Sequence, residues 1–211
     1  MTRPSPSRCH KACRSYSATH RGIGWVGRLF SLVNLHAVTA PTGLHQNDEE
    51  IHTMSLTLTS ASFPHEGMIP SRHTCDGDDL SPQLAWRGVP ANTQSLVLIV
   101  DDPDAPDPQA PKMTWVHWVL YNMPPHTTEL AEGIAPINLP AGTLQGLNDW
   151  RRTGYGGPCP PIGRHRYFHK LFALDTRLPD LKGPSKGALE KAMQGHVLAH
   201  VELIGLYQRR K

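Results

Sequence analysis

A chain of 211 residues, 38% hydrophobic and 18% charged, is long enough to bury one real core and too short for two large domains. It contains no run of 18 or more apolar residues, so no membrane-spanning helix is expected. Its net charge of +3 lies wholly in residues 1–53, where six Arg or Lys face three acids. Residues 54–211 hold 15 basic and 15 acidic side chains, and a neutral domain argues against a broad nucleic-acid footprint.

Residues 1–53 mix Arg, Ser, His and Gly without a sustained period, and their apolar piece from Gly22 to Ala40 is broken by Arg28, Asn34 and His36. The segment reads as a disordered or non-native extension ahead of a domain over residues 54–211, which places the protein in the cytoplasm. The alternative is a poor secretory signal ending at Val38-Thr39-Ala40, which places it in the periplasm.

From Met54 the pattern changes. Ser55 to Thr59 alternates as a strand does, and Phe63 to Leu80 is a loop rich in turn formers. Leu84 to Trp86 is a short strand. Leu96 to Val100 is a continuous apolar run, as in a strand buried on both faces. Four prolines make Asp102 to Lys112 a loop. Trp115 to Asn122 is the next strand, with Trp115, His117, Val119 and Tyr121 expected on one face and Val116, Trp118 and Leu120 on the other. A long connection over 123–146 and a Gly/Pro loop over 154–163 precede a strand from Arg166 to Leu174. Ser185 caps a short helix to about Gln194, and Leu198 to Tyr207 is the final strand. The 20 prolines and 18 glycines suit short strands joined by turns. The expected fold is mainly antiparallel β, with six or seven strands and one or two short helices.

The chemistry gathers in two stretches. The first is Asp101-Asp102-Pro103-Asp104 with Trp115-Val116-His117-Trp118 after it. The second is Gly154-Tyr155-Gly156-Gly157-Pro158-Cys159-Pro160-Pro161, running into His165-Arg166-Tyr167. Asp101 and Asp104 read as solvated turn groups. Asp102 is either a third such group or the partner of an imidazole, whose orientation it would fix. His165 and Tyr167, two apart on a strand, share a face, and His169 continues their row. Arg166 points the other way. The glycines allow either an anion-binding backbone concavity or a tight structural crossing. Four cysteines show no CxxC spacing; Cys75 and Cys159 are either free thiols or one disulfide, which spacing does not decide.

Together with Thr74-Cys75-Asp76-Gly77-Asp78-Asp79-Leu80-Ser81-Pro82-Gln83-Leu84-Ala85-Trp86 and the ending Gly195 to Tyr207, these motifs resemble the phosphatidylethanolamine-binding protein family, in its bacterial Raf-kinase-inhibitor-like branch. The resemblance covers about residues 54–211. It implies a two-sheet β fold with one small anion-binding cavity near the surface. Its ligand-binding residues would be Asp102, Trp115, His117, Gly157, His165 and Tyr167, with Pro158 and Cys159 shaping the rim. On this reading His117, His165, Tyr167 and the Gly157 backbone donate to a phosphate-bearing or other small anionic ligand, Asp102 orients an imidazole, and Trp115 forms an apolar wall. Expected partners are that ligand and a protein that the chain inhibits, with a homodimer among the assemblies allowed. No catalytic activity, cofactor or metal is expected. The rival reading is a hydrolase or metal-dependent enzyme using the Asp/His pocket, or a thiol mechanism through Cys159 near His165. HExxH and Cys-rich ligand spacings are both missing from the sequence.

Overall fold

A computed structural model describes residues 55–209, and the expectations for residues 1–53 lie outside them. Among the described residues, nine strands form two sheets. The smaller contains β1 (Thr57–Thr59), β3 (Leu84–Arg87) and β6 (Glu129–Leu130), in the order β1-β3-β6. The larger also contains β2 (Gly67–Met68), β4 (Ser95–Ala105), β5 (Met113–Met123), β7 (Leu144–Gln145), β8 (His165–Leu174) and β9 (Val197–Tyr207), in the order β2-β9-β8-β4-β5-β7. Every pairing is antiparallel except β2 with β9. Three of the nine strands have two residues each, too short to show a period, which is why the sequence shows fewer.

The apolar run in β4 lies at the centre of the large sheet. Leu96, Leu98 and Val100 join the core cluster that includes Leu58, Leu84, Trp86 and Leu130 of the small sheet. Val97 and Ile99 join a second cluster on the other face, closed by Leu189 and Met193 of the one α-helix among the described residues, α1 (Lys186–Met193). Burial on both faces explains the unbroken hydrophobic run. Ser185 caps α1, its side chain accepting from the Ala188 amide at 3.3 Å.

Two expectations change here. The presumed loop from Asp102 begins later, because β4 continues to Ala105 and stays paired with β5. The face assignment along β5 also fails. Opposite β4, Val100 pairs with Trp118 but Asp101 pairs with Val116, so His117 is the extra residue of a bulge. Beyond it the alternation is reversed: Trp118 and Leu120 join the first cluster, while Val119 and Tyr121 join the second with Val116.

Candidate functional site

β5, β4 and β8 lie side by side, so the acidic end of β4 sits between the aromatic start of β5 and the His/Tyr start of β8. A hollow of about 480 Å³ opens there. Asp102, Trp115, His117, Cys159, His165 and Tyr167 line it, with Pro106, Met113, Trp150, Pro160 and Pro161 as apolar walls. Six of the eight expected residues thus meet; Gly157 and Pro158 do not line the hollow.

Asp102 is buried. One carboxylate oxygen accepts the Asp104 amide at 2.8 Å and the other lies 2.7 Å from His165 Nδ1. Burial raises the Asp102 carboxyl above its ordinary range, partly offset by the bond to His165. His165 Nε2 lies 2.9 Å from the Ile162 carbonyl. A carbonyl only accepts, so Nε2 carries a hydrogen, and one further proton lies between Nδ1 and the carboxyl. Both ring nitrogens are therefore engaged. Asp102 orients an imidazole as expected, but His165 has no free donor for a ligand.

His117 behaves differently. Its Nδ1 donates to the Gly156 carbonyl at 2.6 Å, and burial pushes its pKa down to about 4. The ring is neutral at pH 7, and Nε2, its free nitrogen, is an acceptor rather than the expected donor. The free donors lie elsewhere. The Tyr167 hydroxyl and the Trp115 indole N–H are buried with no hydrogen-bond partner among the described residues. Tyr167 packs edge-on against His117, ring centroids 5.2 Å apart, and burial raises its phenol pKa, so the hydroxyl keeps its proton.

The Gly/Pro loop is a structural crossing and not an anion cradle. The Gly157 amide donates to Asp79 Oδ1 at 2.6 Å, and the Gly156 amide to the His117 carbonyl at 3.1 Å. A Cβ on Gly157 would meet the His73 carbonyl oxygen and, at 2.8 Å, the Thr74 Cα, so only glycine fits. Asp79 is thereby a positioning residue for this loop. Pro158 presents its carbonyl to the Cys75 amide at 3.1 Å. Cys159 is bonded to Cys75 in a disulfide, with Cα atoms 5.4 Å apart, so it offers no thiol nucleophile.

The flanking acids are buried rather than solvated. Asp104 is held by the Arg166 guanidinium, at 3.0 Å through Nε and 2.7 Å through Nη2, which lowers the carboxyl pKa. Asp101 is held by Lys170 and Lys186. Sequence reading missed Trp150, whose ring meets both Trp115 (5.4 Å) and His117 (5.2 Å) edge-on. A tryptophan within the polar stretch Asn148-Asp149-Trp150-Arg151-Arg152 was the available signal. Among the described residues, no three His, Cys, Asp or Glu converge as a metal-ligand cluster, and no helix is long and apolar enough to cross a membrane.

Comparison with known proteins shows the family and the fold. The family model for phosphatidylethanolamine-binding protein matches residues 59–208. A UPF0098 protein of Methanothermobacter thermautotrophicus is 50% identical over 155 residues, covering 73% of this chain and 99% of its own length. Two solved structures each align with a TM-score of 0.68 over 74% of this chain. One is a phosphatidylethanolamine-binding protein homologue from Chlamydia trachomatis, 40% identical and 99% covered. The other is YbcL of E. coli, described as a member of the mammalian family, 30% identical and fully covered.

Proposed function

The chain belongs to the phosphatidylethanolamine-binding protein family, and we propose that the hollow between β4, β5 and β8 binds a phosphate-bearing head group or a similar small anion. One observation carries this reading: two donors, the Tyr167 hydroxyl and the Trp115 indole N–H, belong to side chains lining one hollow and are buried without partners among the described residues. Leaving such groups unpaired costs about 1–3 kcal/mol each. A phosphate oxygen satisfies them. His117 Nε2 then accepts a hydrogen from a protonated phosphate oxygen, so the favoured ligand form is the monoanion. The apolar walls favour a ligand with a nonpolar body behind its head group. We read the protein as a binder without catalytic activity.

Calorimetric titration with phosphoethanolamine tests this. Tyr167→Phe should weaken binding by about ten- to a hundredfold, the equivalent of about 1.5–3 kcal/mol for a hydrogen bond to a charged group. Affinity should fall as pH rises above about 6, where phosphate monoesters lose their second proton. No binding by the wild type, or equal binding by Tyr167→Phe, overturns the proposal.

A second reading, a hydrolase, has one observation in its favour: His117 Nε2 is a neutral, unengaged base beside unpaired donors. Turnover of a generic phosphate ester, lost in His117→Gln, would establish it in place of simple binding.

A further inference from the structure

We propose that the protein carries a second ligand site, for a small zwitterion with an apolar body, the chemistry of a free apolar α-amino acid. It lies across the 150–157 loop from the first hollow. That loop is a wall shared by two cavities. It is held to β5 in both directions: the Gly156 amide donates to the His117 carbonyl, and His117 Nδ1 donates to the Gly156 carbonyl. Trp150 lines the first cavity, while Arg152 and Tyr155 line the second. The bulge at His117 puts two consecutive side chains on one face, and they part there: His117 lines the first cavity and Trp118 the second.

The second cavity has a volume of about 330 Å³, the small end of the range for ligand sites. That equals the liquid volume of about eleven waters, which suits a molecule of about nine to twelve non-hydrogen atoms. Ile134, Pro136 and Leu139 give it an apolar wall. Trp118 is only 2% exposed, and its indole N–H is buried with no acceptor among the described residues. An indole N–H only donates, so it calls for an acceptor from outside.

A loose ion pair completes the site. Arg152 Nη2 lies 3.8 Å from Asp79 Oδ2, and both side chains are about half exposed. The Gly157 amide fixes Asp79 by its other oxygen at 2.6 Å, whereas the pairing of the guanidinium is long and weak. A ligand carboxylate can take the guanidinium and satisfy Trp118, while a ligand ammonium faces Asp79. An acid alone would meet the Asp79 charge; an amine alone would leave Trp118 unpaired. Only the zwitterion uses all three groups.

The test is titration of L-phenylalanine into the full chain, followed by indole N–H signals in proton–nitrogen spectra, with Trp118 assigned by its loss in Trp118→Phe. We expect a saturable shift of the Trp118 signal, with a Kd on the order of 1 mM for so small a ligand. Arg152→Gln should weaken binding by about tenfold or more, and 3-phenylpropionate and phenethylamine should each bind correspondingly more weakly. Arg152 is on the surface, so this arm stands even if Trp118→Phe fails to fold. Phosphoethanolamine in the same assay should move the Trp115 signal and leave Trp118 in place. The proposal is overturned if Trp118 stays still under phenylalanine, if Arg152→Gln binds as tightly as wild type, or if the acid or amine alone matches the amino acid.

Discussion

Two buried histidines make acid stability a direct test of the site's electrostatics. His117 and His169 both lie on the core side of the large sheet, and burial pushes each pKa down to about 4 from an ordinary value of 6.5. His117 bonds Gly156; His169 packs against Phe63 at 5.5 Å, and neither of its ring nitrogens finds a hydrogen-bond partner among the described residues. The backbone of Tyr167 and Leu203 lies near His169 and offsets its burial only in part. The unfolded chain protonates both rings near pH 6.5, whereas the folded chain resists until about pH 4. Between those values the unfolded state binds more protons, so stability falls as pH falls. Each histidine removes roughly 3 kcal/mol across the window, at about 1.4 kcal/mol per pH unit. Two together remove roughly 6 kcal/mol, comparable with the whole stability of a typical domain, about 5–15 kcal/mol. Asp102, whose carboxyl is raised by burial, works in the opposite sense and softens the loss.

The assay is urea unfolding at half-unit steps from pH 7 to pH 4.5. His169→Leu should remove about half of the slope, and at pH 7 it should stabilise the domain by about 1–3 kcal/mol, since it replaces an unpaired buried N–H with an apolar group. A stability that stays flat down to pH 4.5, or an unchanged slope in His169→Leu, would refute the reasoning.

Three further outcomes follow from particular contacts. Removing the Cys75–Cys159 disulfide, which spans 84 positions, should lower stability by about 4–5 kcal/mol on the chain-entropy account, read as a fall in the urea midpoint of Cys75→Ala/Cys159→Ala. Gly157→Ala should cost at least about 2 kcal/mol and weaken ligand binding, because the loop must move off the His73 and Thr74 backbone; a neutral result in thermal unfolding would contradict the crossing. Asp101→Ala, which leaves Lys170 and Lys186 facing each other without their carboxylate, should cost about 3–5 kcal/mol in the same measurement, and a cost under 1 kcal/mol would show the cluster to be dispensable.

Much of this was legible in the sequence, and the limits have physical causes. The run Leu96 to Val100 announced a strand covered on both faces, and two separate core clusters divide its residues between them. The spacing of His165, Tyr167 and His169 put three groups on one face, where all three are buried. What the sequence hid was pairing. Alternation assumes a regular ladder, and one extra residue at His117 reverses every side chain after it. That same irregularity lets neighbours serve different cavities. The sequence left open which imidazole Asp102 orients; it bonds His165, 63 positions away, while His117 bonds a backbone carbonyl. The consequence reverses a role. An imidazole beside a carboxylate can be charged and donate; an imidazole that donates to a buried carbonyl is neutral and leaves an acceptor. The glycines show the same dependence on partners. Read alone, Gly156-Gly157 offers free amides; in place, both amides are already bonded, to His117 and Asp79. Residue types thus located the hollow, but which group donates and which accepts was set by contacts across the sheet, and those contacts leave the unpaired donors on Tyr167 and Trp115 rather than on the histidines.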